Sequence, residues 1–530
     1  MSLLKSIATV GGFTLLSRLI GFGRDVLIAA FLGATMYADA FFVALRFPNL
    51  FRSLFAEGTL NVSFVPLFTE NLKKKGALSA QKFAGEAFSF LFYILLIFVV
   101  LIELMMPFAT FVLAPGFDQI AGKIEITTYL SRITFPFLLF VSLVSLLAGI
   151  LNSVGRFAAA AFTPCILNLV MIAALVFVSP FFDNPAIAIS WGVFAAGIIE
   201  LIFIYICVVR AGFKVRLFSP FCVCWNISKE LKTLFKRMLP GVFGSGVYQI
   251  NLFLDTFFVS FVGAGAMSWL NYAHHLFQLP IGIIGVAIGT VLLPVLSRYI
   301  AEDKIKQAVY DLNRGLEVSL AMSVSSMIGL MILSTPIVSV LFERGAFTFA
   351  STLPTAFALQ AFAIGLPAYM LTKALSPFFY ARGDTKTPVR IAVFGVIVNA
   401  GLCLSLMQFW GHVGIALATG ITVWVNAAQY IYLLKKQGEF YLDDLFKYRI
   451  VRILASSLVM GVFLFAGDFA FTVMLGDWVH LRGSIPLILL LLLIGCSAAV
   501  YFATLILTHG ILWQDVKEFV LSIKKRGKHQ

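Results

Sequence analysis

Charged side chains set into an apolar chain are the residues able to do chemistry here, and they gather near the N-terminus. Arg18, Gly21, Asp25 and Ala29 follow one another at helical spacing, so they share a face, with Arg24 beside Asp25. A second stripe runs through Asp39, Arg46, Asn49, Ser53, Glu57 and Asn61. Arg52 flanks it, and Pro48 removes one backbone donor and predicts a bend in its middle. A charge at bilayer depth costs about 2.5–3.5 kcal/mol on insertion scales. Such a concentration implies one of two things. Either Arg18–Asp25 and Arg46–Asp39 are closed ion pairs that lock helices together, or the stripes line a water-filled, positively biased cavity. Arginine suits a phosphate, because its planar fork stays charged and donates in pairs. Several arginines on one cavity fit an anionic head group better than a cationic drug.

Other chemistries find little support. His274 and His275 are adjacent, so on a helix they cannot both face one ligand. The chain has no His-Glu-x-x-His, no Gly-x-Gly-Asp and no phosphate-binding Gly-rich loop ending in Lys-Ser/Thr. An intramembrane enzyme is therefore not expected, and energy must come from an ion gradient or the membrane potential. The cysteines Cys165, Cys207, Cys222, Cys224, Cys403 and Cys496 have no zinc-like spacing and imply no disulfide framework.

The elements that position these residues follow from composition. Of 530 residues, 60% are hydrophobic and only 12% charged, with a mean hydropathy of +0.98. Soluble domains carry roughly a quarter charged residues. Apolar runs of bilayer length predict an all-α polytopic membrane protein rather than a barrel, whose strands would alternate polar and apolar. Fourteen spans are predicted near 6–34, 37–69, 81–113, 124–151, 158–180, 185–211, 239–263, 267–298, 311–341, 351–381, 387–409, 412–436, 449–472 and 484–509. Of the 39 Lys and Arg, six (Arg18, Arg24, Arg46, Arg52, Arg132 and Lys373) lie deep within spans and only Lys123, Arg344 and Arg482 lie toward one side. The other 30 cluster on the opposite side, as at 73–75, 229–237, 435–436 and 517–528. By the positive-inside rule both termini are cytoplasmic. The net charge of +14 is thus a topology signal and not a nucleic-acid footprint, with anionic membrane lipids as a minor extra partner. The N-terminus, Met1 to Gly12, lacks a signal-peptide profile.

The halves echo each other at an offset near 230. Asp25-x7-Gly33-Ala34 recurs as Asp255-x7-Gly263-Ala264, Phe135-Pro136 as Leu366-Pro367, and Thr163-Pro164 as Thr387-Pro388. Ile187-Ala188-Ile189 recurs as Ile415-Ala416-Leu417. Six spans per copy is an even number, so the copies are parallel repeats about an axis along the membrane normal, with the substrate path between them. The expected organisation is an N-lobe at 1–211, a cytoplasmic linker at 212–238, a C-lobe at 239–437, spans 13 and 14 at 438–509, and a basic cytoplasmic tail at 510–530. In the linker, Leu231, Leu234 and Phe235 among lysines suggest a short surface helix. A repeat of this kind argues for a transporter; a channel would need a filter signature.

The motifs that carry a resemblance are Ser17-Arg18-x-x-Gly21-x-x-Arg24-Asp25, Asp39-Ala40-Phe41-Phe42-Val43-Ala44, Pro48-Asn49-x-x-Arg52 and Phe55-Ala56-Glu57-Gly58. Gln249-Ile250-Asn251 with Asp255, the 285–290 run Gly-Val-Ala-Ile-Gly-Thr, Leu293-Pro294, Phe342-Glu343-Arg344-Gly345-x-Phe347-Thr348 and Arg382-x-Asp384-Thr385-x-Thr387-Pro388 extend it over nearly the whole chain. Together they resemble the MurJ (MviN) lipid II flippases of the multidrug/oligosaccharidyl-lipid/polysaccharide exporter superfamily.

The resemblance implies two six-helix lobes plus two C-terminal helices, in the inner membrane of a bacterium. The implied substrate is lipid II, the undecaprenyl-diphosphate-linked disaccharide pentapeptide, moved for peptidoglycan synthesis. It implies that Arg18, Arg24 and Arg52 hold the diphosphate, that Ala29, Asn49 and Ser268 line the cavity, and that Asp39 is the acidic position of span 2. A groove of spans 13 and 14 for the lipid tail would have Leu487–Leu493 as a wall, although these leucines also read as plain lipid-facing residues. The chain departs from the family in span 8, where His274-His275 and Gln278 stand in place of an acid–Arg pair and a following Glu. His275 takes the arginine position with only a conditional charge. An implied sodium site maps onto Asp255, Asn399 and Thr419, with Cys403 where a second carboxylate is expected. An exporter of another polyprenyl-linked glycan would keep the basic cavity. A cation-coupled drug exporter would have 12 spans and an acidic cavity, and an accessory scaffold would tolerate loss of the arginines.

Overall fold

In lipid a backbone has no water to bond, so each apolar run must satisfy its own N–H and C=O groups as helix. A computed structural model of the chain describes residues 3–55, 59–220, 228–438, 440–481 and 483–510. Glu57, Cys222, Cys224 and the tail at 511–530 lie outside them. The described residues contain no strand, and each predicted span lies on helix over most of its length. Nine helical segments among them are long and apolar enough to cross a membrane.

Contacts divide the chain into two compact units, Met1–Ser268 and Trp269–His529. The first holds α1 (Leu3–Leu32), α2 (Met36–Phe55), α3 (Thr59–Leu104), α4 (Met106–Leu113), α5 (Lys123–Thr134), α6 (Phe137–Ser153), α7 (Phe157–Ala173), α8 (Pro185–Arg210) and α9 (Lys229–Ser260). Within it α1 packs on α7, α2 on α5, α3 on α6, and α8 on both α6 and α7. By sequence repeat α9 opens the second lobe, yet its contacts are with α2, α3 and α4.

The expected surface helix of the linker is not a separate element. Ser228 caps the N-terminus of α9 by accepting from Leu231 N at 3.3 Å, and the helix then runs unbroken to Ser260. Its apolar face is used internally: Leu231 and Leu234 are buried, and Phe235 packs at a tilt against Phe90 of α3 with ring centroids 4.5 Å apart.

The chain crosses between units in α10 (Ala266–Pro280), which ends in a π-helical turn at Ile281–Gly285 after Pro280. The second unit continues with α11 (Val286–Ala301), α12 (Ile305–Ile332), α13 (Ser334–Phe342), α14 (Phe349–Ile364), α15 (Leu366–Ala381), α16 (Lys386–Lys436), α17 (Asp444–Leu475) and α18 (Ile485–Leu507). α16 contains two predicted spans, divided at Gly411, whose φ of 53° and ψ of −128° no other residue type adopts easily. Gly76 (φ 82°) divides α3 in the same way.

A buried charge network ties α17 to α12. Arg314 donates to both oxygens of Asp443 at 2.6 Å, while Asp443 caps α17 by accepting from Phe446 N at 2.7 Å. Glu317 bridges Arg314 at 2.8 Å and Arg449 at 3.1 Å. Glu317 and Arg449 are 4% and 5% exposed, so each charge is neutralised by its partners and not by water.

Candidate functional site

α1 packs against α7, which brings Arg24 to Asn168. The Arg24 fork closes on the neighbouring carboxylate, Nε and Nη2 donating to Asp25 Oδ1 at 3.0 and 2.6 Å. Nη1 donates to Asn168 Oδ1 at 2.8 Å, and Asn168 Nδ2 donates to Ser17 O at 3.1 Å. Gly21 permits this approach: a Cβ there would lie 3.2 Å from Asn168 Nδ2. The guanidinium is thus held in one orientation, with an anion already on its fork. Arg18 does not join this unit; its side chain is exposed on the same helix.

On α2, Pro48 lacks an N–H, so the carbonyl of Ala44 loses its helical donor. Thr134 of α5 replaces it, donating Oγ1 to Ala44 O at 2.8 Å. One turn on, Arg52 Nε donates to Asn49 Oδ1 at 3.1 Å, and Asn49 Nδ2 donates to Leu45 O at 2.9 Å. Both side chains are half-buried. Glu200 of α8, 3% exposed, lies within the field of Arg52.

Asp39 is held inside the first unit. It is fully buried, and its partner is Lys123 at the start of α5, with Nζ 2.8 Å from Oδ2. The same carboxylate accepts from Gly265 N at 2.7 Å, Ser268 N at 2.9 Å and Ser268 Oγ at 2.6 Å. Asp39 therefore caps the N-terminus of α10 from another helix, where free N–H groups and the helix dipole favour an anion. Lys123 also sits 3.8 Å from the Phe117 ring centroid. Read from sequence as a basic residue just outside a span, it is wholly buried, because α5 begins at this residue and turns its first side chain toward α2.

Two further links join this end of the unit. Arg46 Nη1 donates to Thr256 Oγ1 at 2.9 Å, and Gly116 N donates to Ser260 Oγ at 3.0 Å. Gly116 approaches so closely that a Cβ would meet the Ser260 carbonyl carbon at 2.4 Å. Ala29 and Ser268, expected on a cavity, are both fully buried, Ser268 inside the Asp39 cluster.

In the second unit His275 is half-buried on α10, one residue after His274, whose Nε2 lies 2.6 Å from Gln278 Nε2. The expected sodium donors are divided between the two units. Asp255 lies on α9 in the first unit, with Asn251 Nδ2 3.4 Å from its Oδ2. Asn399 Oδ1 accepts from Thr422 Oγ1 at 3.5 Å, and Thr419 spends its hydroxyl on Ile415 O at 3.2 Å. The second-unit pair offers no carboxylate and makes no sodium site by itself. No group of three His, Cys, Asp or Glu placed to hold a metal occurs among the described residues.

A cavity of about 270 Å³ opens between α12, α17 and α18, lined among others by Met322, Gly329, Met460, Ile494 and Tyr501. The predicted wall at Leu487–Leu493 is not part of it. Leu487, Ile488, Leu491 and Leu492 are exposed, and Leu490 and Leu493 are packed away. Leu490, Leu493, Ser497 and Tyr501 share the buried face of α18, and the cavity meets that face from Ile494 onward.

The family model "Lipid II flippase MurJ" matches residues 28–482. The chain belongs to the MurJ family. A Rhizobium tropici relative, "Probable lipid II flippase MurJ", is 40% identical over 96% of this chain and 95% of its own length. The Burkholderia cenocepacia "Lipid II flippase MurJ" is 33% identical over 97% of each. Among solved structures, "Lipid II flippase MurJ, inward closed conformation" superposes with a TM-score of 0.76 at 28% identity, covering 94% of this chain and 99% of that one. An inward-facing multidrug transporter of the MATE family and MOP superfamily superposes at 0.65 with 16% identity, covering 79% and 94%. That second likeness shows a shared helical fold.

Within this MurJ-family chain the structure joins Arg24 to Asp25, Arg52 to Asn49, and Asp39 to Ser268. Sequence reading missed Asn168, Lys123 and Glu200. A lone amide and a lone carboxylate in otherwise apolar helices are signals for the first and last.

Proposed function

We propose that this chain is a transporter and not an enzyme: it moves lipid II from the inner to the outer leaflet of the bacterial inner membrane by alternating access, with both termini cytoplasmic. The reading rests on the MurJ family match over residues 28–482. The first unit supplies chemistry that suits a diphosphate. Arg24 is pre-oriented by Asn168, and Asp25 occupies its fork as an internal placeholder anion. An incoming diphosphate takes the fork, and Asp25 returns to it on release, so the guanidinium is never left buried without an anion. Arg18 and Arg52 add charge on the neighbouring turns of α1 and α2. The Asp39–Lys123–Ser268 cluster closes the periplasmic end, and its links to Gly265 and Ser268 are what must break for substrate to leave outward.

Depletion of the protein in its native cell tests this. Lipid II should build up on the inner leaflet while its synthesis continues. An unchanged leaflet distribution would reject the reading.

A further inference from the structure

The loop between α17 and α18 is tied down by one side chain. His480 Nε2 lies 2.9 Å from Glu343 Oε1, at the end of α13, and Nδ1 lies 2.7 Å from Asp477 Oδ2. Ionised carboxylates only accept, so the ring serves both when it carries two N–H groups, as the imidazolium. The other oxygen of Glu343 accepts from Ser339 Oγ at 2.8 Å and from Thr352 Oγ1 of α14 at 2.7 Å. Glu343 thereby joins α13, α14 and the turn at Trp478–His480. That turn is also fixed to its own helix, since buried Trp478 donates Nε1 to Asp468 Oδ1 at 3.1 Å. The 342–348 motif gains a physical reason: Glu343 is the acceptor, and Arg344 Nη2 folds back to Val340 O at 2.7 Å to close the end of α13.

The other end of α13 faces the apolar cavity. Leu333 and Ile337 line it. With nine residues, α13 is a rod of about 13 Å, so the cavity wall and the His480 contact are its two ends.

We propose that His480 and Glu343 are a positioning pair: they latch the α17–α18 loop onto α13 and hold the cavity at the width its lipid-tail occupant requires. This rests on the reading of the chain as a lipid II flippase whose polyprenyl tail lies between α12, α17 and α18.

The latch is conditional on pH. The hydrogen bond to Glu343 raises the His480 pKa above its ordinary value; burial opposes this, and Asp477 adds to it. Burial pushes Glu343 up, but hydrogen bonds from His480, Thr352 and Ser339 outweigh it and hold that carboxyl below its ordinary value. Among the described residues the charged groups acting on the ring are Glu343 from the end of α13 and Asp477 from the loop itself; Arg344 is turned back to Val340 O, Asp468 accepts from Trp478, and α18 carries no charged side chain. The contribution is therefore complete below the ordinary histidine pKa of about 6.5, and it is lost as pH rises through the raised value.

The test uses the full chain, purified and reconstituted with lipid II, at pH 6 and pH 9. Wild type should lose transport severalfold and a few degrees of thermal midpoint on going to pH 9. His480→Lys, which stays charged across the range, should keep both. His480→Ala and Glu343→Gln should resemble wild type at pH 9 at either pH. Parallel pH profiles of the wild type and His480→Lys, or full transport by His480→Ala at pH 6, would overturn the latch. If no variant moves lipid II at any pH, the flippase reading fails instead, and the thermal midpoints still decide whether the latch exists.

Discussion

Lys123 Nζ lies 2.8 Å from Asp39 Oδ2 with both side chains fully buried, a closed ion pair between α5 and α2. Taking one partner away leaves the other charge stranded, at a cost of about 3–5 kcal/mol. Lys123→Met should lower the thermal midpoint strongly. Asp39→Asn combined with Lys123→Met should recover much of the loss, because no charge then remains. Additive losses in the double variant would show that the two residues act separately.

Gly116 is the tightest approach in the same region. Because a Cβ would run into the Ser260 backbone, which has no rotamer to change, Gly116→Ala must force the two segments apart. In a background lacking the six native cysteines, Ser268→Cys should be poorly reactive toward a membrane-impermeant thiol reagent added from outside. Adding Gly116→Ala should raise that reactivity severalfold. Equal labelling with and without the alanine would exclude Gly116 from the closure.

Asn168 orients Arg24 without carrying charge. Loss of a hydrogen bond to a charged group costs about 1.5–3 kcal/mol, so Asn168→Leu should cut transport roughly tenfold or more. Asn168→Gln should retain part of the activity, because the amide oxygen survives. Wild-type complementation by Asn168→Leu would mean that Arg24 needs no such support.

How much of this was legible in sequence depends on the range of the interaction. Helices along the chain follow from the length of the apolar runs, whereas the ion pairs read at helical spacing, Arg18–Asp25 and Arg46–Asp39, are replaced by Arg24–Asp25 and Lys123–Asp39. The Asp39 cluster draws on Lys123 and Ser268, residues 84 and 229 positions away, and no helical spacing reports such partners. The same holds for Arg449, which meets Glu317 132 residues distant. The apolar cavity takes Ile494, Ser497 and Tyr501 of α18 and none of the leucines at 487–493, a choice invisible in sequence because a run of leucines looks alike on every face. Only packing against α12 and α17 distinguishes the inward side.

His275 occupies the position at which the family resemblance implies arginine. His275→Arg should be tolerated, since it restores that residue type, and His275→Ala should impair transport more than His274→Ala. The readout is complementation of a flippase-depleted strain at matched protein level. Equal activity of the two alanine variants would remove His275 from the substrate path.

The central claim is that this chain carries lipid II across a bilayer on a basic site centred on Arg24. Its most direct test is translocation in proteoliposomes that contain only the purified chain and lipid II, with the membrane potential imposed and the outer-leaflet fraction measured over time. The wild-type protein should move lipid II between leaflets, and Arg24→Ala should reduce this to the rate of empty vesicles without loss of folded protein; Arg24→Lys should fall between, keeping charge without the fork. Wild-type translocation by Arg24→Ala would contradict the account.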